Sequence, residues 1–142
     1  MIELPANIDV DDLERAVEFY TRGLGLKVGR RLEAFAAVEL VGACSRIYLL
    51  AKAAGTVSGA GLQTRRNYQR HWTPVHLDFV VDDLEAAVER ALAEGATFET
   101  KTETQEWGRV ALMADPFGHG FCLLQFKGRG YDEIAAPSRK PG

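Results

Sequence analysis

One phrase occurs twice in this chain. Val10-Asp11-Asp12-Leu13-Glu14-Arg15-Ala16-Val17-Glu18 returns as Val81-Asp82-Asp83-Leu84-Glu85-Ala86-Ala87-Val88-Glu89, and only Arg15 and Ala86 break the match. So long a repeat in 142 residues predicts two copies of one supersecondary unit stacked into a single domain, residues 1–142. A chain of this length buries a substantial core without needing a second domain. The repeat is also a ruler. Positions counted outward from Leu13 and from Leu84 correspond, so their differences can be read as chemistry kept or lost.

Each copy opens with alternation. Ala6, Ile8 and Val10 share one side of a first strand, as do Val75, Leu77, Phe79 and Val81 in the second copy, the period of a half-buried strand. The repeated phrase then starts a helix, with Asp11 and Asp82 expected as N-caps and Glu14 and Glu85 as their capping-box partners. Leu13, Ala16, Val17, Tyr20 and Leu24 form one apolar stripe; Leu84, Ala87, Val88, Ala91 and Leu92 form the other. Gly23 or Gly25, and Gly95, are placed to end the helices. Three strand-like stretches follow each helix. They cover about 27–32, 35–41 and 45–51, with a Gly42-Ala43 turn, then about 97–102, 107–114 and 120–126, with Asp115-Pro116-Phe117-Gly118 as the turn. The class is therefore α+β, each module reading βαβββ: module one about 2–53, a linker 54–71, module two about 72–127 and a tail 128–142 that frays from Ala135 onward.

A net charge of −3 gives no support for nucleic-acid binding, which normally shows a concentrated basic face, so no nucleic-acid partner is expected. No apolar run approaches a membrane span, and Met1-Ile2-Glu3-Leu4-Pro5 lacks the regions of a signal peptide, so a cytoplasmic protein without membrane contact is expected. Cys44 and Cys122 are expected to stay reduced in that compartment.

Val-x-Asp-Leu-Glu after the first strand, Phe19-Tyr20 and Leu24-Gly25-Leu26 near the first helix end, and Asp115-Pro116-x-Gly118 before the last strand, in this order and in paired modules, resemble the vicinal oxygen chelate superfamily over about residues 2–127. That superfamily includes glyoxalase I, extradiol dioxygenases and bleomycin-resistance proteins. The resemblance implies that the modules pair into one domain whose mixed sheet curves into a cup around a cavity, and that the chain forms a homodimer. It also implies four metal-ligand positions, which here fall on Pro5, Tyr48, His76 and Cys122. Proline carries no donor and a neutral tyrosine is a poor one, while His76 and Cys122 alone are too few for zinc. No metal and no other cofactor is therefore expected.

The strand faces opposite the apolar sets should line the cup. They carry Pro5, Asn7, Asp9, Phe35, Ala37, Glu39, Arg46, Tyr48 and Leu50 from module one. From module two come His76, Asp78, Val80, Arg109, Ala111, Cys122 and Leu124, with Trp107 near the mouth. The Gly42-Ala43 turn would set Glu39 opposite Arg46. Of these, Phe35, Arg46, Tyr48, His76, Asp78, Trp107, Arg109 and Cys122 are the candidate ligand-binding residues, and His76 with Asp78 the candidate catalytic pair. His76 reads either as an inward polar residue bonded to Asp78 or as a general base; Tyr48 and Trp107 read as core packing or as ligand platforms. Cys122 reads as an inert small hydrophobe, and His119 as solvated. The basic linker cluster Arg65, Arg66, Arg70 and His71, with Tyr68 and Trp72, is either a solvated loop or a lid.

Two functions of different class follow. One is a metal-independent small-molecule-binding protein of the bleomycin-resistance type, sequestering an aromatic or anionic compound. The other is an enzyme: a glyoxalase-like lyase or isomerase using His76 and Asp78 for proton transfer, or a metal-dependent enzyme with a non-standard ligand set. A dimeric interaction module is a third reading.

Overall fold

Both modules begin alike and diverge where their helices end. In the computed structural model, which describes residues 1–137, the first strand β1 (Ala6–Val10) leads into α1 (Leu13–Glu18). Its counterpart β5 (Leu77–Val80) leads into α2 (Leu84–Ala93). The caps stand one residue later than expected. Asp12 accepts from Arg15 N at 3.1 Å and Asp83 from Ala86 N at 3.0 Å, so the third helical positions hold Arg15 and Ala86 and no capping box forms. Starting the helix at the leucine drops Leu84 into the core.

Helix α2 ends regularly, with Gly95 at φ +105° just past it, where a left-handed residue closes a helix. After α1 the chain instead makes a π-helical turn, Phe19–Gly23. The wider turn rotates two successive residues inward, so Phe19 and Tyr20 are both buried. Phe19 packs edge-on against Phe121 of module two, with ring centroids 6.1 Å apart. The Tyr20 hydroxyl donates to Asp115 Oδ2 at 2.6 Å. Asp115 Oδ1 in turn accepts from Phe117 N and His119 N at 2.8 and 2.9 Å, fixing the Asp115-Pro116-Phe117-Gly118 turn. One buried carboxylate thus ties the first helix to the last hairpin.

Module one continues with β2 (Lys27–Leu32), β3 (Ala37–Val41) and β4 (Ile47–Ala51) in a sheet of order β1-β4-β3-β2. Module two continues with β6 (Thr97–Phe98), β7 (Glu103–Gln105), β8 (Gly108–Ala114) and β9 (Gly120–Phe126), in the order β5-β9-β8-β6 with β7 also on β8. Each sheet is mixed, because β1 runs parallel to β4 and β5 parallel to β9. Of the strand expected at 97–102 only Thr97–Phe98 forms, and β7 lies beyond that range. Phe35 does not open a strand: 33–35 form a 3₁₀ turn closed by Ala36 in the left-handed region, φ 49°. The linker forms a small hairpin, bridged between Val57 and Arg65. The tail packs Tyr131 against Trp107 and Phe126, while its end, 138–142, lies outside the described residues.

The two helices share one core with one face of each sheet, including Val38, Leu40, Ile47 and Leu49 from module one and Ala111, Met113, Phe121 and Leu123 from module two. The opposite face of each sheet, turned away from the helices, is called its cup face. Among the described residues no helix is long and apolar enough to cross a membrane.

Candidate functional site

On the cup face of module one, Asn7, Tyr48 and Glu39 stand opposite one another across β1, β4 and β3. The irregularity in β2 between Val28 and Arg31 brings Arg30 to the same row. Gly29 provides the space, since a Cβ there would stand 2.6 Å from Glu39 Oε1. Arg30 donates to both Glu39 oxygens, from Nε at 3.1 and 3.2 Å and from Nη2 to Oε2 at 2.5 Å. The Tyr48 hydroxyl donates to Oε2 at 2.9 Å and accepts from Arg30 Nη2 at 3.3 Å.

Glu39 is only 4% exposed, yet its partners keep it ionised. The Arg30 hydrogen bonds do most to hold its carboxyl down to about 2; Tyr48 and the Arg46 charge add to them, and burial opposes. Arg46 was expected directly opposite Glu39. The loop 42–46 is longer than a two-residue turn, so Tyr48 takes that place and Arg46 Nε stands 3.7 Å from Glu39 Oε2. One carboxylate therefore meets two guanidiniums, and Arg46 is the less engaged.

The same row in module two holds Asp78, Cys122 and Leu112. His76 precedes β5 and reaches Asp78, Nε2 to Oδ1 3.2 Å. Burial first, and the Asp78 carboxylate second, push the Cys122 thiol up to about 11. Cys122 is thus a thiol at neutral pH and no activated nucleophile. Both cysteines are free.

Two clefts border the module-one row, and the second also reaches His76. One, of about 610 Å³, is lined by Ala43, Cys44, Ser45, Arg46 and Tyr48 together with the arm Met1 to Pro5. The other, of about 520 Å³, lies between β1 and β5 and is lined by Asn7, His71, His76, Phe79 and His119 among others. Leu4 and Pro5 line both clefts.

The candidate residues therefore separate. Arg46 and Tyr48 come together in module one, and His76, Asp78 and Cys122 in module two. Phe35 lies in its turn, 75% exposed, and borders neither cleft. Trp107 sits in the β7–β8 turn, against Phe126 and Tyr131. Arg109 faces the helix side and pairs with Glu85 of α2, Nη1 to Oε1 2.5 Å. Ala111 shares that side, in the core. Cys122 pairs with Leu112 and Leu124 with Val110, so the even-numbered residues of β8 face the cup.

The linker is a docked strap. Arg66 Nε donates to Asp9 Oδ2 at 2.9 Å, the Tyr68 hydroxyl to Lys52 O at 2.5 Å, and Arg70 binds Glu99. His119, expected in solvent, is half-buried and donates from Nε2 to Asp9 O at 2.7 Å. Arg30 is the residue sequence reading missed. Its only signal was position in a strand next to Gly29.

Residues 6–124 match the family described as Glyoxalase-like domain. The chain belongs to that family. An uncharacterized protein of Mycobacterium bovis is 32% identical to it over 98% of this chain and 93% of its own. An uncharacterized protein of Mycobacterium tuberculosis shows the same 32% identity, covering 98% of this chain and 84% of its own. Among solved structures, a glyoxalase/bleomycin resistance protein/dioxygenase from Nocardioides superposes with a TM-score of 0.62 at 20% identity, over 92% of this chain and 86% of that one. A glyoxalase-related enzyme from Fulvimarina pelagi gives 0.66 at 16%, over 88% and 87%. These likenesses show the glyoxalase-like fold.

The glyoxalase-like resemblance implies a metal, and its four positions do not fit one here. Pro5 offers no donor, and the Tyr48 hydroxyl is engaged with Glu39 and Arg30. His76 and Cys122 do carry donors, and Asp78 adds a third beside them.

Proposed function

We propose that this glyoxalase-like chain is a small-molecule-binding protein that holds an anionic group, a carboxylate or phosphate, at Arg46 on the cup face of module one, without needing a metal for that contact. The observation that carries this reading is the Glu39 network. Arg30 satisfies Glu39 through three hydrogen bonds, so the Arg46 charge, 3.7 Å away and on the wall of a cleft of about 610 Å³, is the cation left over. A guanidinium held near a rigid hydroxyl presents a fork suited to a planar anion. Tyr48 supplies that hydroxyl and an aromatic face. The acidic side chain lining the same cleft, Glu3, belongs to the arm before β1.

The test is calorimetric titration of aliphatic and aromatic carboxylates and of inorganic phosphate, run in chelator. At least one should bind and raise the melting temperature by mass action, and Arg46→Ala should weaken it about tenfold or more, as expected for loss of a charge-assisted contact. Binding equal in wild type and Arg46→Ala would refute the reading, as would no binding at all.

The contact between His76 and Asp78 at 3.2 Å favours a second reading, a lyase or isomerase in which His76 moves a proton and Asp78 orients its ring. An isomerase activity on a small carbonyl compound that His76→Ala left unchanged would dispose of that mechanism.

A further inference from the structure

His76 Nε2, an Asp78 carboxylate oxygen and Cys122 Sγ all lie within 4.8 Å of one another. All three residues belong to module two. Asp78 stands directly opposite Cys122 in the parallel β5–β9 ladder. His76, two residues before Asp78, projects to the same side. The β5–β9 ladder sets the Asp78–Cys122 spacing, and His76 approaches Asp78 from the segment just before β5.

We infer that module two by itself forms a binding site for a soft divalent cation of the zinc class, with His76, Asp78 and Cys122 as its three protein ligands. Metal bonds of about 2.0 Å to nitrogen or oxygen and about 2.3 Å to sulfur put neighbouring donors of a tetrahedral site roughly 3.3–3.8 Å apart. The His76–Asp78 separation of 3.2 Å is already close to that spacing, and the remaining separations, within 4.8 Å, close by side-chain rotation. Imidazole and sulfur favour zinc, cobalt or copper over magnesium, calcium or manganese, which seek oxygen.

The electrostatics agree with the geometry. Among the described residues no Lys or Arg nitrogen lies within 4.0 Å of the Asp78 carboxylate, which contacts His76 Nε2 instead. Glu39, by contrast, is hydrogen-bonded by Arg30 and has the Arg46 charge nearby. Asp78 is the acid on the cup with room for a metal cation. Three protein ligands leave a coordination position for water or a ligand oxygen. The arrangement differs from the four-position pattern implied by the fold, because the third donor, Asp78, follows His76 by two residues in module two instead of coming from module one.

The test is titration of untagged, metal-free protein with Co2+, followed by displacement with Zn2+. Stoichiometric cobalt should give tetrahedral visible bands and a thiolate-to-cobalt charge-transfer band, and Zn2+ should bleach both. Cys122→Ser should abolish the charge-transfer band. His76→Ala and Asp78→Asn, both at exposed positions, should each weaken binding about tenfold or more, at least the loss typical of disturbing a metal's outer shell. Cys44→Ser should leave the cobalt bands unchanged. Absence of the bands at stoichiometric cobalt overturns the proposal. So does a charge-transfer band that survives Cys122→Ser or disappears with Cys44→Ser. The anion reading for module one stands or falls separately, since its titrations are run in chelator.

Discussion

Asn7, Tyr48 and Glu39 in module one occupy the ladder positions of Asp78, Cys122 and Leu112 in module two. The backbone register is the same and the electrostatics are not. In module one the acid sits on an inner strand and is buried, so it must be neutralised where it stands; Arg30, Tyr48 and Arg46 do that. In module two the acid has moved to the edge strand, where water reaches it, and its inner-strand counterpart is leucine. An edge carboxylate needs no built-in cation. The duplication fixed where side chains stand, and burial at each position decided whether a charge there would be closed internally or left open for a ligand.

That comparison presumes that the two modules hold each other in place, and the largest expected effect comes from breaking their joint. Asp115 accepts from Tyr20 of module one and from two backbone N–H groups of its own turn. Asp115→Ala leaves a buried hydroxyl and two amides without their acceptor, a loss of about 3 kcal/mol or more at ~1–3 kcal/mol per unsatisfied group. Urea unfolding measures it. A cost below about 1 kcal/mol would mean that the apolar contact of Phe19 with Phe121, and not this carboxylate, joins the modules.

A smaller effect separates the two acids. The folded-state pKa of Glu39 is depressed, from 4.5 to about 2. Its stabilising contribution is therefore complete above the unfolded value near 4.5 and is lost as pH falls through about 2. Stability followed by thermal melting should decline over that window in the wild type. Glu39→Gln, already lacking the ion pair, should start lower and decline less steeply there. Identical slopes would show that the guanidiniums do not close on Glu39 in solution.

The duplication and the strand starts were legible because polar and apolar residues alternate there. His76-Leu77-Asp78-Phe79 reads unambiguously, and the structure puts His76 and Asp78 side by side. The caps were off by one because Asp11 and Asp12 are equally competent; burial of the first helical residue chooses, and burial is tertiary. Arg30 was invisible because the irregularity beside it breaks the alternation that assigns faces. The β3–β4 register slipped because a Gly-Ala pair fits a short turn as well as a longer loop. The faces of β8 were misread for a plainer reason. Val110-Ala111-Leu112-Met113-Ala114 is apolar throughout, so period two carries no information, and a one-residue slip exchanges the faces.

That slip sets the smallest effect. Sequence alternation put Arg109 and Arg46 on the same cup as two candidate anion contacts. The ladder puts Arg109 on the helix side, against Glu85, while Arg46 lines the module-one cleft. Arg109→Ala should therefore leave carboxylate affinity within about twofold of wild type, because a charge masked by its own partner contributes little. Arg46→Ala should lose about tenfold or more in the same titration. Comparable losses in the two variants would mean that the anion reaches module two as well, and that the division of labour between the two faces is not the one the registers describe. A loss confined to Arg46 would place recognition on the module whose buried acid is already neutralised, where the surplus positive charge is.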